Sequence, residues 1–516
     1  MPQATPPPPP RPPLPPLAPL DAANQALLAA VHPADWVNPA PQARYNLVVV
    51  GGGTAGLVCA AGAAGLGARV ALAERHFMGG DCLNSGCVPS KALIRAARLV
   101  GEARRAFELG LTPGQPPAPD FAAVMRRLRE LRAGLAGHDS AARFRELGVD
   151  VFLGRGVFVD HETLAVGEAK LRFAKAVIAT GSTPGGLPFP GLRETGYLTN
   201  QDIFNLTQLP ARLAVLGTGP IGCELAQAFS RLGSRVLMVG RSGQIMTRED
   251  PDAAAVVAAA LVADGVDLRL NTEVTKVEAS GAEKLIHIKR GEDQEAVAVD
   301  AILVGAGRNP VVEGLGLEAA GVEYDRKAGV RVDDHLRTTN PNVFAAGDVC
   351  LTHKFTHMAD ASARIVIQNA LFAGRARLSG LTPAWCTYTD PEAAHCGLYP
   401  EEAEAQGLGV ETIRIGLKDV DRAVLEGRAE GFLKVHLKAA SDRILGATLV
   451  APHAGESISQ LTLAIQSGLG LKTLAAVIHP YPTQAEVIRK AADAYNRTRL
   501  TEGVKRWLQR WLAWRL

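Results

Sequence analysis

The chain has 516 residues, too many for a single hydrophobic core, and a prior of about 150 residues per domain predicts roughly three to four domains. Hydrophobic residues make up 47% and charged residues 21%, which is typical of a soluble globular protein. The formal net charge of +3 argues against nucleic acid as a partner. Seven cysteines are too few for a disulfide scaffold of this length, and their odd number favours a reducing, cytoplasmic location.

Proline dominates the start of the chain, where it occupies eleven of the first nineteen positions. Consecutive prolines offer no backbone donors and favour an extended polyproline II conformation. We therefore predict a disordered leader over residues 1–20 and an N-terminal extension over residues 21–43. Because prolines also interrupt every apolar stretch of the leader, we do not expect a signal peptide there.

The first glycine-rich turn lies between an apolar run at residues 47–50 and an alanine-rich run, which predicts a buried strand, a tight turn and a helix. Its spacing is G-x-G-x-x-G, in which the glycines let backbone amides approach a pyrophosphate at the helix N-terminus. A following strand over residues 69–74 ends in Glu74, which can accept hydrogen bonds from a ribose 2′-hydroxyl. The alternative is a purely structural strand-to-helix turn. The glycines are Gly51, Gly53 and Gly56.

A second copy of this pattern follows an apolar run at residues 213–216, and its strand over residues 235–239 ends differently. Gly240 stands where the first copy has its acid, and two arginines, Arg241 and Arg248, follow. An acid would repel a 2′-phosphate and arginines would bind one, so we predict NADPH here, with NADH less favoured. The alternative is that both arginines are solvated surface charges. The glycines of this turn are Gly217, Gly219 and Gly222.

The two copies predict an α/β fold with two Rossmann-like dinucleotide-binding domains, one for a flavin and one for a nicotinamide. Three other apolar runs end in glycine, as a chain that crosses between two nucleotide domains would. The last of them carries an acid that can hold a ribityl hydroxyl. The residues at these ends are Thr180, Gly181, Gly307, Gly347 and Asp348.

The most specific motif is the cysteine pair, Cys82 and Cys87. Five residues of regular helix rise about 7.5 Å, beyond the roughly 7 Å limit between the Cα atoms of a disulfide, so a bridge requires a distorted junction. Gly86 permits such a backbone, and Pro89 is tolerated in a first helical turn, which leaves Cys87 where a thiolate is stabilised. The alternatives are two buried cysteines or half a zinc site, but no second pair has matching spacing, and we predict no structural metal.

Together these motifs resemble the class I pyridine nucleotide-disulfide oxidoreductases, the family of glutathione reductase, dihydrolipoamide dehydrogenase and mercuric reductase. The resemblance covers about residues 44–495. It implies an FAD domain over residues 44–206 and 304–380, an inserted NAD(P)H domain over residues 207–303, and an α+β dimerisation domain over residues 381–495. It also implies a homodimer whose active site is shared across subunits.

The family's mechanism assigns roles to individual residues. NADPH passes hydride to FAD, which opens the disulfide through Cys87 and leaves Cys82 as the thiol that meets the substrate. Lys91 is implied to lie beside the flavin, paired with Glu224. Each of these two charges alone is more often a helix-surface charge.

The C-terminal motif departs from that of the disulfide reductases, which carry a histidine as acid–base and a glutamate five residues later. Counting from Tyr481 reaches Glu486, whereas counting from His479 reaches a glutamine, so Tyr481 occupies the acid–base position and His479 is at most an auxiliary base. A phenol with a pKa of about 10 is a poor proton shuttle compared with an imidazole near 6.5. Mercuric reductases also have tyrosine there, and a soft Hg(II) ion bound transiently by Cys82 and Cys87 needs no proton donor.

The sequence thus predicts a mercuric reductase-like enzyme that acts on a metal ion or a small-molecule disulfide. No cysteine follows Cys396, although mercuric reductases typically end in a vicinal cysteine pair. The alternatives are a dihydrolipoamide dehydrogenase-like or other disulfide reductase, and a non-catalytic flavin redox sensor whose tail binds a membrane or partner.

The tail, residues 496–516, has the pattern of a basic amphipathic helix. Trp507, Trp511 and Trp514 follow helical spacing, and Arg506 and Arg510 lie on another face. This pattern suits peripheral contact with a membrane surface or with a partner. The more common explanation of such a stripe is a terminal helix that covers its own dimer interface.

Overall fold

A computed structural model describes residues 14–110 and 118–516. Its strands are β1 Tyr45–Val50, β2 Val70–Glu74, β3 Val149–Leu153, β4 Gly156–Asp160, β5 Thr163–Val166, β6 Ala169–Ile178, β7 Ser182–Pro184, β8 Arg212–Leu216, β9 Arg235–Val239, β10 Asp267–Arg269, β11 Glu273–Ser280, β12 Glu283–Arg290, β13 Asp293–Val299, β14 Ala301–Val304, β15 Arg308–Pro310, β16 Tyr324–Asp325, β17 Gly329–Val330, β18 Val343–Ala345, β19 Ala384–Thr387, β20 Glu392–Gly397, β21 Val410–Gly416, β22 Phe432–Lys438 and β23 Ile444–Ala451.

The α-helices are α1 Ala22–Val31, α2 Thr54–Gly65, α3 Gly80–Asn84, α4 Cys87–Arg104, α5 Phe121–Leu135, α6 Ala141–Glu146, α7 Leu192–Thr195, α8 Pro220–Leu232, α9 Pro251–Ala263, α10 Thr356–Leu371, α11 Pro400–Ala405, α12 Asp421–Leu425, α13 Ala454–Gln466, α14 Leu471–Ala476, α15 Glu486–Thr498 and α16 Glu502–Trp514. Short 3₁₀ turns occupy Ala106–Leu109, Ala136–Asp139, Ile203–Asn205, Gly347–Val349, Leu378–Gly380 and Leu417–Asp419.

The first sheet has the strand order β3-β2-β1-β6-β5-β4, and β18 pairs with β6. The strands β3, β2, β1, β6 and β18 are parallel, while β4 and β5 are antiparallel additions. All five residues of β2 are buried, as expected for a parallel strand covered on both faces. The helix α2 packs against α10 on one of those faces.

The second sheet is also parallel, with the order β10-β9-β8-β14. Its strands lie in the chain between β6 and β18, so the chain leaves the first sheet, builds the second and then returns. A three-stranded antiparallel sheet of β11, β12 and β13 adjoins it. The predicted α/β class is confirmed, while the predicted domain limits stay predictions.

The C-terminal part is an antiparallel sheet with the order β19-β20-β23-β22-β21, covered by α13 and α15. Every residue of β23 is buried, which places this strand at the centre of a third core. The strand β19, at one edge of this antiparallel sheet, contacts α8. This contact places β19 near the second glycine-rich turn, from which α8 begins.

The N-terminal extension packs on the first sheet's side of the molecule through α1. Asp21 caps α1 and forms an ion pair with Arg129 of α5 at 2.6 Å. Residues 1–13 of the predicted leader lie outside the described residues. The part from residue 14 is extended, but Asn205 holds it by accepting from the Ala18 amide and donating to the Pro16 carbonyl. The leader's predicted limits, residues 1–20, stay a prediction.

The last helix, α16, differs from the other long helices because none of its residues is buried. Within residues 14–110 and 118–516, no helix has both the length and the apolar character needed to cross a bilayer.

Candidate active site

A cavity of about 1760 Å³ lies where the first sheet, the second sheet and β19 meet. Most residues that the sequence singles out line it, although they are spread over nearly 300 positions of the chain. These are Gly51, Gly53, Glu74, Cys82, Cys87, Lys91, Thr180, Gly181, Gly219, Glu224, Arg248, Gly307, Gly347 and Asp348.

The glycine turns are built for close backbone contact. A Cβ on Gly56 would lie 1.8 Å from the Gly51 carbonyl oxygen, and one on Gly222 would lie 2.3 Å from that of Gly217. These four glycines therefore pack each helix onto its own strand. The middle glycines cap α2 and α8 and line the cavity, which leaves the amides of both helix N-termini open to a phosphate. The middle glycines are Gly53 and Gly219.

Glu74 lies at the end of β2 with 8% of its surface exposed. Its two oxygens accept hydrogen bonds from the Gly52 and His76 amides, each at 2.6 Å. Burial raises the pKa of Glu74, and the two amides oppose that shift. Each carboxylate oxygen keeps a second lone pair for a ribose hydroxyl, so the site fits the adenosine part of FAD.

Asp348 faces the same cavity from the turn after β18. Its Oδ2 accepts from the Ser182 hydroxyl at 2.6 Å and lies 3.7 Å from Arg308. Arg308 also forms an ion pair at 2.8 Å with Asp81, the residue before Cys82. Thr180 and Gly181 lie beside this network, where the Thr180 hydroxyl donates to the Val311 carbonyl at 2.7 Å. The polar groups at this end fit a ribityl chain and a pyrophosphate.

The two cysteines lie in two consecutive helices. Cys82 lies in α3, and Cys87 is the first residue of α4. Gly86, just before Cys87, has no room for a side chain, because a Cβ on Gly86 would lie 2.8 Å from the Asp81 carbonyl oxygen. Both cysteines are free thiols whose side chains hydrogen-bond to each other. That hydrogen bond lowers the pKa of Cys87 to about 6 and raises the pKa of Cys82.

Two further groups stabilise the Cys87 thiolate. Thr356, at the start of α10, has its hydroxyl 3.2 Å from the Cys87 sulfur, and Lys91 adds a positive charge one turn along α4. Sequence reasoning missed Thr356, because it lies 269 residues away from Cys87 and belongs to no motif. Arg308, which pairs with Asp81, was missed for the same reason.

Lys91 and Glu224 form the predicted ion pair, with Nζ and Oε2 2.8 Å apart. The second Glu224 oxygen accepts from the Tyr388 amide at 2.8 Å, and the Lys91 ammonium lies 4.5 Å from the centre of the Tyr388 ring. Burial raises the pKa of Tyr388 to about 12. This cluster joins α4, α8 and the residue after β19 at the wall of the cavity.

The two predicted phosphate-binding arginines are not brought together. Arg248 lines the cavity near His353 and Lys354. Burial lowers the pKa values of these two residues, and the positive charge of Arg248 lowers them further. Arg241 is exposed just after β9 and does not line the cavity. In the described part of the chain neither arginine has an ion-pair partner.

The C-terminal candidates also lie outside the cavity. Tyr481 is 68% exposed, and its hydroxyl donates to Asp421 at 2.8 Å, which raises the pKa of Tyr481. Glu486 is buried and paired with Arg489 at 3.2 Å, so Asp421 and not Glu486 accepts the phenol's hydrogen bond. His479 contacts the Gln460 side chain at 2.9 Å.

The sequence matches the family described as "Pyridine nucleotide-disulphide oxidoreductase" over residues 45–364 and that family's dimerisation domain over residues 383–492. A mercuric reductase from Staphylococcus aureus is 33% identical over 457 residues, which cover 88% of this chain and 83% of the relative. A dihydrolipoyl dehydrogenase from Thermus scotoductus is 34% identical over 470 residues, covering 88% and 98%.

Among solved structures, the Cu(II) complex of the HOCl-induced flavoprotein disulfide reductase RclA from Escherichia coli is similar. It superposes with a TM-score of 0.77 at 28% sequence identity and covers 86% of this chain and 98% of that chain.

Proposed function

The chain belongs to the class I pyridine nucleotide-disulfide oxidoreductases, and from that premise we propose that it uses NADPH to reduce the Cys82–Cys87 pair and passes the electrons to thiol-bound Hg(II). As a member of the family it is an FAD-dependent oxidoreductase that uses a pyridine nucleotide. FAD, when bound, carries two electrons from the nicotinamide to the cysteine pair. The overall reaction converts a bis-thiolate complex of Hg(II), NADPH and one proton into Hg(0), NADP⁺ and two thiols.

The main observation in favour of a metal ion as the electron acceptor is the protonation of the Tyr481 hydroxyl. Asp421 accepts the hydrogen bond of this phenol and raises its pKa, so the phenol is a weaker acid than an imidazolium and a poor donor of a proton to a leaving thiolate. Reduction of an organic disulfide needs a proton for the leaving thiolate, whereas a metal ion held by two sulfurs does not. The acid–base position therefore favours a soft metal ion over lipoamide or glutathione disulfide.

The cysteine pair has the chemistry to bind such an ion. Cys87, with its pKa lowered to about 6, is a thiolate at neutral pH, and the neighbouring Cys82 supplies a second sulfur. Binding of a soft cation releases the Cys82 proton, because only the thiolate is a ligand. Lys91 and Thr356 hold the negative charge on Cys87 before the metal arrives.

The preference for NADPH rests on the end of β9. Gly240 stands where Glu74 stands in the first copy, and a Cβ there would lie 2.5 Å from the Thr218 side chain, so a larger residue would require that side chain to move. Arg241 follows with its guanidinium free of ion pairs in the described part of the chain, and this favours a 2′-phosphate.

The dimerisation domain indicates a homodimer. We propose that the active site is shared, with Tyr481, His479 and Glu486 of one subunit facing the cysteine pair of its partner. Their position outside the cavity of their own subunit supports this arrangement.

We also propose a cytoplasmic location with peripheral contact to a membrane surface through α16. The odd number of cysteines, seven in all, supports a reducing compartment. The exposed tryptophans of α16 support the membrane contact.

An assay series tests the proposed reaction on the purified flavoprotein. We expect NADPH oxidation to be fastest with Hg(II) in excess thiol, and slower with lipoamide or glutathione disulfide. Cu(II) is a further arm, since a structurally similar disulfide reductase forms a Cu(II) complex. Faster turnover with lipoamide would favour a dihydrolipoamide dehydrogenase-like enzyme. Flavin reduction by NADPH without turnover of any acceptor would favour a redox sensor. Equal KM values for NADPH and NADH would contradict the nucleotide preference.

A further inference from the structure

The helix α16 presents a broad apolar face to solvent. Trp507 and Trp511 stack with their ring centres 6.0 Å apart, and Trp514 follows with its ring centre 5.3 Å from that of Trp511. These three rings are 61%, 44% and 77% exposed. Val504 and Leu512, which are 41% and 60% exposed, widen the same face. Aromatic rings of this size are rarely left in water without a binding partner.

Positive charges flank this face on both sides. Arg506, Arg510 and Trp514 are spaced four residues apart, so the two arginines form a stripe that runs into the edge of the tryptophan face. Lys505 lies three residues before Leu508 and borders the other edge, where it forms an exposed ion pair at 2.8 Å with Glu502, the only acid of the helix. The helix therefore combines an aromatic face with cationic edges.

The dimensions of α16 fix how it can meet a bilayer. Its thirteen residues span about 20 Å, less than the hydrocarbon core of about 30 Å, and its charges forbid insertion across the core. A helix with a large apolar face, cationic edges and several tryptophans lies in the plane of the interface. Tryptophan suits the boundary between headgroups and acyl chains, because its ring is apolar and its N–H needs a polar partner.

The positive charges of α16 favour a bilayer over a second copy of the chain as the partner of the tryptophan face. If two α16 helices paired through their tryptophan faces, their Lys505, Arg506 and Arg510 side chains would be brought near one another, and like charges repel. An anionic surface instead neutralises all of these cations at once.

We propose that α16 is an interfacial anchor that binds anionic phospholipid, with its tryptophan face in the headgroup region and Lys505, Arg506 and Arg510 against lipid phosphates. The inference rests on the membrane contact proposed above and adds the lipid class and the residues that select it. A homodimer carries two such helices, so two attachments reinforce each other when both reach one surface.

Vesicle flotation of the full-length flavoprotein tests this inference. The probes are vesicles of phosphatidylcholine alone and vesicles that also contain phosphatidylglycerol. We expect flotation with the anionic vesicles and loss of flotation as the salt concentration rises, because salt screens the contact between arginines and phosphates. We expect at most weak flotation with the neutral vesicles.

Two sets of variants separate the contributions of charge and apolar surface. Arg506→Gln with Arg510→Gln removes two of the cations, and we expect about a thirtyfold weaker partitioning onto anionic vesicles. Trp507→Ala, Trp511→Ala and Trp514→Ala together should abolish flotation on both kinds of vesicle. The charge-matched control is Arg326→Gln with Arg331→Gln, two exposed surface arginines elsewhere, which should leave partitioning unchanged. Phe372→Ala, at an exposed apolar residue outside the tail, is the apolar control.

The outcomes are distinct. Absence of flotation with both vesicles would overturn the membrane contact itself. Equal flotation with neutral and anionic vesicles, or no effect of the arginine substitutions, would overturn the lipid class. A tryptophan variant that dissociates the dimer in sedimentation velocity would show that α16 instead covers a second copy of the chain. NADPH oxidation, measured on the same samples, reports separately on the proposed enzyme activity.

Discussion

The Lys91 ammonium and the Glu224 carboxylate are 2.8 Å apart and connect the two helices, α4 and α8, that begin at the cavity. The Glu224 side chain is 6% exposed, and its other oxygen accepts from the Tyr388 amide. A single carboxylate thus orients a lysine at the predicted flavin site and fixes the end of β19 from the C-terminal part of the chain.

Glu224→Gln should slow reduction of the bound flavin by NADPH about tenfold to a hundredfold. The glutamine keeps the size of the side chain but loses the charge that pairs with Lys91, and a hydrogen bond to a charged group is worth about 1.5–3 kcal/mol. Stopped-flow absorbance of the flavin measures this rate. Glu162→Gln is the control, because its ion pair with Arg44 is exposed and distant. An unchanged rate in Glu224→Gln would contradict the role of the pair.

Cys87 should titrate near pH 6 in the two-electron-reduced enzyme. Its pKa is lowered chiefly by the hydrogen bond from Cys82, so the thiolate is present above pH 6 and is lost as the pH falls through that value. A long-wavelength absorbance between thiolate and flavin follows this titration. Cys87→Ser should abolish the band at every pH.

Cys82→Ala sharpens the same test when it is measured with the flavin oxidised, because this variant has no disulfide to take up the two electrons. It removes the main hydrogen bond to Cys87 and should move the midpoint of the band upward, toward the ordinary thiol value of about 8.5. Cys396→Ala, at a buried cysteine in the C-terminal core, is the matched control and should leave the midpoint near 6. If the band persisted in Cys87→Ser, Cys87 would not be the cysteine that contacts the flavin.

Contacts within a motif could be predicted from the sequence, and contacts between distant elements could not. The spacing of Gly51, Gly53 and Gly56 implies a strand, a turn and a helix, because a tight turn between a strand and a helix leaves little room for side chains. By contrast, Thr356 reaches Cys87 only because the fold places the first residue of α10 next to the first residue of α4. No local pattern near either residue encodes that approach.

The pairing of Lys91 with Glu224 shows what a family resemblance adds. These residues lie 133 positions apart, and the pair was expected from the resemblance and not from periodicity. The partner of Tyr481 was not expected, since register alone pointed to Glu486 while the structure places Asp421 at the phenol. The side chain of Glu486 is buried and pairs with Arg489 and Lys490 of the same helix.

Asp390→Asn should lower the free energy of unfolding by about 3–5 kcal/mol at neutral pH. Asp390 is 7% exposed and pairs with Arg231, at 2.9 Å, and with Arg428, so its replacement leaves Arg428 without its carboxylate and Arg231 with Asp264 alone. Urea denaturation followed by circular dichroism measures the change. Asp360→Asn, in an exposed pair with Arg364, should change stability by less than about 0.5 kcal/mol.

The stability difference should also depend on pH. Although burial raises the pKa of Asp390, Arg428 and Arg231 lower it on balance below its ordinary value. A carboxylate with a lowered pKa stabilises the fold above the unfolded pKa of about 3.9, and this contribution is lost as the pH falls through the folded pKa. The gap between wild type and Asp390→Asn should therefore be constant above about pH 5 and shrink in stronger acid. A gap that widened in acid would contradict the ion pair.

Tyr481→His should move the enzyme toward disulfide acceptors. The wild-type phenol, with its pKa raised by Asp421, holds its proton throughout the neutral range, whereas an imidazole ionises near pH 6.5 and can return a proton to a leaving thiolate. We expect turnover with lipoamide or glutathione disulfide to rise by about 10²-fold or more and to show a new ionisation near pH 6.5. Tyr481→Phe is the control, because it removes the hydroxyl without supplying a base and should leave disulfide turnover low. Since Tyr481 is 68% exposed, neither change should disturb folding. Equal disulfide turnover in the histidine and phenylalanine variants would mean that this position does not meet the cysteine pair of the partner subunit.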